Sequence, residues 1–439
     1  MDLIIALGIS FICLLVGVIK GYFIAYPLLL ALGIIGFTLT RRGFSSKQLI
    51  IMGFLGSQKS FPVLSILLLI GAVTAVWMAS GTVPALIYYG IQLINPHWFI
   101  LAAFVLTGLV SLLIGTSFGA ASTVGIALVI MARSSDVDPH MIAGAVIAGA
   151  YFGDRCSPMS SSAHLIATIT KTNIYVNLKN MMTTGLLPLI VASFIYLILS
   201  LIYPVQMTES ILPSELNRLF ELNEIVFLPA ITLIALAVFR VEVKRSMLIS
   251  IVVGFVIAWI VQGYSGLDIL RFAVIGFKLE ADSPVQSILL GGGMLSMAKV
   301  CVIVIISTAI AGILAGTNAL KLVEDWLKRI RSRSNVFLST TVIGIAGAAF
   351  GCTQTIAILL THQLVRDKYA QAQLENEDLA IDLEDTVVVL APLIPWNIAG
   401  LVPATILMSD AGFIPFAVYL YLIPVMDWLQ FKLHPRQLT

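Results

Sequence analysis

Long apolar runs separated by short polar loops fill almost the whole chain. A helix needs about 20 apolar residues to cross roughly 30 Å of hydrocarbon. Runs that reach or approach this length lie at 2–19, 22–40, 60–92, 98–115, 119–132, 141–153, 157–170, 184–203, 224–239, 246–262, 286–317, 336–350, 353–365, 386–408 and 412–428. The pattern predicts an all-α polytopic membrane protein with about 11–14 membrane segments and no separate soluble domain.

Several of these runs are too short to be ordinary spans. They lie at 119–132, 141–153, 157–170, 336–350 and 353–365, and Gly, Ser, Thr and Pro residues join them. Irregular backbone at membrane depth persists only where protein or a water-filled cavity satisfies its N–H and C=O groups. The pattern predicts broken helices or re-entrant hairpins, which build the midplane sites of secondary transporters. Tight hairpins between short helices are the alternative at any single break.

The two halves of the chain carry similar patterns in the same order. Residues 66–94 and 302–330 each combine an apolar run, small residues, a Gly-Thr pair and a second helical pattern. GTSFGAASTVGIALVIMA at 115–132 follows the first copy, and FGCTQTIAILLTH at 350–362 follows the second. We therefore predict a twofold repeat, with N-terminal helices at 1–59, a first repeat at 60–203, linker helices at 204–285 and a second repeat at 286–439.

The charged loops predict how the chain lies across the bilayer. The stretch 204–224 is acidic and fits the outside. Both termini then lie in the cytoplasm, and the two repeats run in opposite senses, as in an inverted-topology repeat. The positive-inside rule places the basic loops and tail in the cytoplasm, and their basic residues are Arg41, Arg42, Lys47, Lys59, Arg240, Lys244, Arg245, Lys321, Lys328, Arg329, Arg331, Arg333, Lys432 and Arg436.

Composition agrees with a lipid environment. The chain is 59% hydrophobic and only 11% charged, whereas soluble domains average about 25% charged residues. The net charge of +2 indicates neither nucleic acid nor acidic partners. The cysteines show no metal-ligand spacing or disulfide framework, and we interpret them as small buried hydrophobes: Cys13, Cys156, Cys301 and Cys352.

The stretch GAYFGDRCSPMSSSAHLIA at 149–167 places polar groups between apolar runs. An ionisable residue at membrane depth is costly and is a functional candidate by default. Na⁺, a hard cation, prefers carboxylate, hydroxyl and carbonyl oxygens. We expect Na⁺ at Asp154, Ser157 and Thr116. A carboxylate that binds Na⁺ or H⁺ in turn suffices for exchange by alternating access. The further candidate ligands are Ser160 and Ser117 in the first half and Thr353, Thr355, Asp385 and Asn397 in the second.

Each of these candidate residues could instead have a purely structural role. Asp154 could cap a helix before Pro158 or pair with Arg155. Asp385 ends an acidic run that is typical of a solvated loop, and it could be a helix cap. The serines at 160–162 could pack helices together. His164 is a candidate proton relay, although a packed or hydrogen-bonded histidine is the commoner case.

Lys299 is a further candidate, as a charge partner of Asp154 or as a site for a substrate carboxylate. It lies about 12 residues past the expected outer end of its helix, which is roughly 18 Å at 1.5 Å per residue. Arg155 and His164 are the other candidate charge partners or anion-binding groups. If the helix begins nearer Gly292, Lys299 is shallower and only snorkels.

Four motifs closely resemble the NhaC family of sodium/proton antiporters: SGTVPALIYYG at 80–90, GTSFGAASTVG at 115–125, GAYFGDRCSPMS at 149–160 and LEDTVVVLAPLIPWN at 383–397. The resemblance implies a bacterial inner-membrane exchanger of Na⁺ for H⁺ with an inverted-repeat fold of the ion-transporter superfamily. The family also includes relatives that couple such ions to small organic acids.

The chain departs from that family at two loops expected to face the substrate. The family typically continues its GD-x-x-SP core with Ser-Asp-Thr-Thr, whereas this chain has serines and His164 at 160–164 and lacks the second acid. In the second half, Gly-Cys-Thr-Gln-Thr at 351–355 replaces a Gly-Ser-Ser type of break. These changes leave the transported species open.

Three other functional classes are a protease, a channel and an exchanger of organic solutes, and the sequence favours them unequally. An intramembrane aspartyl protease normally has Gly-x-Gly-Asp, and position 151 here is Tyr. A channel needs one continuous polar path, which paired broken helices do not favour. The remaining alternative is an exchanger of a small organic anion or amino acid coupled to Na⁺ or H⁺. We therefore expect no enzyme activity and no cofactor, with lipid, Na⁺, H⁺ and a small solute as partners, and a homodimer remains an option.

Overall fold

The computed structural model describes residues 3–58, 60–133, 137–205, 212–239, 241–279, 291–317, 330 and 332–433. Its regular elements are helices, which confirms the all-α prediction for the part of the chain described. The α-helices, labelled in chain order, are α1 Leu3–Ile19, α2 Ala25–Arg41, α3 Ser46–Gln58, α4 Phe61–Ala79, α5 Thr82–Leu93, α6 Phe99–Ile114, α7 Ser117–Ala120, α8 Ile126–Arg133, α9 Pro139–Cys156, α10 Ser161–Thr170, α11 Ile174–Ile202, α12 Leu212–Leu219, α13 Leu228–Val238, α14 Val243–Ile260, α15 Gly266–Ile275, α16 Ala298–Gly316, α17 Arg333–Gly351, α18 Gln354–Gln371, α19 Asn376–Leu383, α20 Ile398–Ile406 and α21 Val418–Leu433.

Within these residues, six helices are long and apolar enough to cross a membrane, and up to eight spans result if each bent pair counts as one. The bent pairs turn by 99° and 52°, at 213–236 and 376–406. Three further apolar helices are shorter, at 5–19, 25–41 and 117–132. The chain is therefore a multi-pass membrane protein that contains broken helices.

Two breaks have the same backbone form in the two halves. After α6, Gly115 takes a left-handed conformation (φ 74°), Thr116 is extended, and helix resumes at Ser117. After α17, Cys352 is left-handed (φ 56°), Thr353 is extended, and helix resumes at Gln354. Both breaks fall where the sequence predicted them. We call Gly115–Thr116 and Cys352–Thr353 the paired breaks.

A second interruption also occurs in each half. Helix α9 gives way to an extended Ser157, and α10 begins after the cap Ser160. In the second half, a π-helical segment at Glu384–Val388 and a 3₁₀ turn at Ala391–Leu393 precede α20. The order of elements thus repeats along the chain. The opposite sense of the two copies and the domain boundaries remain predictions.

Small residues hold α9 directly against α6. A Cβ atom added at Gly149 would overlap the carbonyl oxygen of Phe104, and one at Gly153 would overlap that of Gly108. Small residues allow such close backbone approach between membrane helices. This contact fixes the last turn of α9 beside the Gly115–Thr116 break and so positions Asp154.

The second half of the acidic run at 375–385 is not the solvated loop expected from the sequence, although Glu375 at its start is exposed. Asp382, Glu384 and Asp385 lie in α19 and the π-helical segment, and their side chains are buried. The expectation is wrong because the run forms the first half of a broken membrane helix that packs against α17 and α18.

Candidate functional site

A cavity of about 490 Å³ lies where the paired breaks meet. Thr116, Ser117 and Asp154 line it from the first half, and Thr353 and Thr355 line it from the second. The sequence placed candidate ligands at both breaks, and the structure brings the two breaks to one cavity. We call this space the break cavity. It unites five of the predicted ion-binding residues.

Asp154 is the buried acid of the break cavity, with 8% of its surface exposed. One carboxylate oxygen, Oδ2, accepts a hydrogen bond from the Ser117 backbone N–H at 3.2 Å. The hydroxyl groups of Ser117 and Ser160 are the other polar groups near this carboxylate. Asp154 therefore stands among neutral donors and oxygen atoms without a cationic partner in the described residues, an arrangement that suits a small hard cation.

Several helices begin at the break cavity. Ser117, Ser161, Gln354 and Ile398 are the first residues of α7, α10, α18 and α20, and all four line the space. A helix N-terminus carries a partial positive charge from its unpaired N–H groups. The convergence of these N-termini offsets the charge of Asp154 and also suits the carboxylate of a bound solute.

Tyr151 lines the break cavity one helical turn before Asp154. Its hydroxyl donates a hydrogen bond to the Ala399 carbonyl oxygen at 2.7 Å, which ties α9 to the start of α20. Sequence reasoning gave Tyr151 no binding role, because a tyrosine in an apolar run is commonly a packing residue. Its spacing of three residues from Asp154 was the available signal.

Three predicted ligands or relays are not among the residues that line the cavity. The Ser157 hydroxyl donates to the Leu112 carbonyl oxygen at 2.7 Å. The Asn397 amide donates to the Ala348 carbonyl oxygen at 2.7 Å, while its oxygen caps α20. His164 is exposed, and its Nε2 lies 3.0 Å from the Pro158 carbonyl oxygen.

Lys299 lies at the shallower of the two depths expected from the sequence, and the deep position is wrong. Helix α16 begins at Ala298, so Lys299 is in its first turn and is exposed. A short 3₁₀ turn at Met294–Met297 and left-handed glycines at 291–293 precede it, so the membrane helix starts later than the apolar run. Lys299 is not among the residues that line the break cavity.

Arg155 follows Asp154 in the chain but contacts a different set of groups. It is fully buried and forms an ion pair with Asp385, which is also fully buried. Its guanidinium also donates to Thr184 Oγ1 at 2.9 Å and to the Met181 carbonyl oxygen at 3.0 Å. Arg155 thus pairs with Asp385 rather than Asp154, and Asp385 lies outside the break cavity.

Asp385 lines a second cavity of about 330 Å³, which we call the acidic cavity. Arg333 also lines it and binds both oxygens of Asp382, at 2.6 and 2.7 Å. The remaining charged side chains on its wall are all acidic: Glu375, Glu377, Asp378 and Asp427.

Sequence reasoning missed the role of Asp427 and Glu384 in this region. Asp427 is 5% exposed and Glu384 fully buried. The signal for Asp427 was an acid inside the apolar run LIPVMDWLQF at 422–431. Glu384 gave a weaker signal, because its neighbours in sequence are also acidic.

Comparison with known proteins shows what the chain resembles. A family model described as "Na+/H+ antiporter family" matches residues 4–163 and 149–427. A protein named Malate-2H(+)/Na(+)-lactate antiporter from Bacillus subtilis (strain 168) is 28% identical over 90% of this chain and 84% of its own length. The Na(+)/H(+) antiporter NhaC of Alkalihalophilus pseudofirmus is 29% identical over 83% of this chain and 80% of its own. The Arginine/ornithine antiporter ArcD of Halobacterium salinarum is 25% identical over 81% and 74%.

Proposed function

The chain belongs to the Na⁺/H⁺ antiporter family, and from that premise we propose that Asp154 binds Na⁺ and H⁺ in turn within the break cavity. The protein is a multi-pass membrane transporter of the secondary active type. Sodium and a proton would compete for the same carboxylate oxygens. Alternating exposure of the break cavity to the two sides of the membrane turns this competition into antiport.

The observation that carries the proposal is the position of Asp154 between the paired breaks. Thr116 and Ser117 bring hydroxyl oxygens to the same wall, and Ser160 brings another near the carboxylate. Among the described residues that line the cavity, Glu242 adds a second acid and none is Lys, Arg or His. A cation is therefore favoured at Asp154 on grounds of charge.

The size of the cavity supports a second candidate function, exchange of a small organic anion or amino acid coupled to Na⁺ or H⁺. A volume of about 490 Å³ far exceeds the need of a bare Na⁺ ion and falls in the range of about 300–1,000 Å³ typical of ligand pockets. The four helix N-termini offer N–H groups to a solute carboxylate. A Na⁺ ion on Asp154 would then lie beside that carboxylate and neutralise it.

Proteoliposomes that contain a pH-sensitive dye distinguish these candidates. An ion-only exchanger changes the internal pH when NaCl alone is added outside. An exchanger of organic solutes responds only when a small carboxylate or amino acid is also present. A panel of such solutes, tested one at a time with and without Na⁺, would identify the class. No change of internal pH with NaCl, with any of the solutes or with both together would contradict both candidates.

Relatives of this chain come from bacteria, so we propose that the protein lies in the bacterial cytoplasmic membrane. The basic loops support cytoplasmic termini. Reporter fusions at the C-terminus test this orientation, because alkaline phosphatase is active only outside the cytoplasm and green fluorescent protein fluoresces inside.

A further inference from the structure

Two buried carboxyl groups face each other at the acidic cavity. Asp385 extends from the π-helical segment at 384–388 and is fully buried, and Asp427 extends from α21 and is 5% exposed. The two side chains are close enough to share a hydrogen bond. In each of them, one oxygen, Oδ2, has no hydrogen-bond donor among the described residues.

We propose that Asp385 and Asp427 share a proton and form a proton-binding site separate from Asp154, reached through the acidic cavity. Two ionised carboxylates are both acceptors, so neither can donate to the other. A proton on one of them supplies the missing donor.

The cationic groups of this region leave those two oxygens unpaired. Arg155 binds the other oxygen of Asp385. Arg333 is committed to both oxygens of Asp382, which also accepts a hydrogen bond from the Tyr369 hydroxyl. Besides Glu384, the remaining titratable groups near the pair are the Tyr419 hydroxyl, which accepts from Arg155, and the Cys156 thiol. Neither is placed to donate to both carboxyl groups.

The occupant favoured at this site is a proton rather than Na⁺. The Arg155 guanidinium forms an ion pair with Asp385, and its positive charge repels a second cation there. Glu375, Glu377 and Asp378 line the same cavity and make its wall negative. A negative wall raises the local concentration of protons.

Glu384 gives this site a connection to the break cavity. It is fully buried, and neither of its carboxyl oxygens has a hydrogen-bond partner in the described structure. Its charged neighbours include Arg155, Asp385 and Asp154. In this proposal Glu384 carries the proton between the O–H of the Asp385–Asp427 pair and Asp154. Each step breaks one O–H bond and forms another, and no group is oxidised or reduced.

This inference rests on the proposed exchange of a proton at Asp154, and its test separates the two ideas. In Asp427→Asn, proton movement driven by a Na⁺ gradient should be lost. Exchange of ²²Na⁺ between equal Na⁺ concentrations on the two sides requires no proton and should stay at the wild-type level. Asp427→Glu should restore proton movement. Asp367→Asn, an exposed acid that pairs only with Arg366, is the matched neutral control.

Infrared spectroscopy tests the shared proton without any transport assay. The purified wild type should show a protonated carboxyl band that shifts in deuterated water and is absent from Asp427→Asn. The band should persist in Asp154→Asn, so that failure of the exchange proposal leaves this test intact. Wild-type proton coupling in Asp427→Asn, or the absence of this band from the wild type, would overturn the inference.

Discussion

Asp154 and Arg155 are consecutive residues of α9, yet they serve two different cavities. Asp154 lines the break cavity, whereas Arg155 holds Asp385 at the wall of the acidic cavity. Consecutive residues of a helix point about 100° apart, so one buried turn can present opposite charges to different spaces. A movement of this turn changes the electrostatic environment of both cavities together.

Asp154→Asn should abolish Na⁺-dependent proton exchange while the protein still folds and inserts. Asparagine keeps the size and the hydrogen bond from the Ser117 N–H but cannot exchange a proton for Na⁺. The measurement is dye-detected pH change in proteoliposomes, with thermal unfolding in detergent to check folding. Asp367→Asn is the matched control, because Asp367 is an exposed acid that lines neither the break cavity nor the acidic cavity. Equal loss in both variants would refute a specific role for Asp154.

Gly115→Ala should disrupt the first of the paired breaks. Its φ of +74° is a left-handed conformation, which costs an L-residue about 1–2 kcal/mol. An added Cβ would also overlap the Cβ and backbone of Met159, so the loop before α10 must shift. We expect a lower melting temperature and strongly reduced transport.

Gly8→Ala is the control for this substitution. Gly8 lies inside α1, and a Cβ there meets nothing within 4 Å. Alanine favours helix more than glycine does, so this variant should keep wild-type transport and stability. If Gly115→Ala behaves like Gly8→Ala, the left-handed break is not required.

The sequence was sufficient to predict the helical membrane fold and the positions of the breaks. Those features follow from the length of apolar runs and from Gly, Thr and Pro at fixed places along the chain. Asp154 could be recognised because an acid inside an apolar run has few structural explanations.

The partners of buried charges could not be predicted in the same way. Arg155 and Asp385 lie 230 positions apart, so no local spacing indicates their pairing. The depth of Lys299 depended on where its helix begins, and the glycines at 291–293 delay that start. The acidic run at 375–385 resembled a solvated loop because the partners of its buried acids, Arg333 for Asp382 and Arg155 for Asp385, are distant in sequence.

Lys299→Ala should leave transport close to the wild-type rate for both Na⁺ and any organic solute. Lys299 is exposed in the first turn of α16 and does not line the break cavity. Initial rates over a range of solute concentrations are the measurement, and Lys299→Arg provides the comparison that keeps the charge. A selective loss of organic-anion transport in Lys299→Ala would mean that this side chain reaches the solute in another state of the cycle.

Arg155→Met should destabilise the protein, because it leaves Asp385 as a buried charge without its cation. Breaking a buried ion pair by removing one partner costs about 3–5 kcal/mol. Methionine fills much of the space of the arginine stem, so the loss of stability comes mainly from the missing positive charge. The free energy of unfolding in mixed micelles is the measurement. The double variant Arg155→Met/Asp385→Asn should recover part of the loss, since neither charge remains buried. If the free energy of unfolding falls in the double variant by as much as the two single losses added together, the ion pair does not account for the stability of this turn.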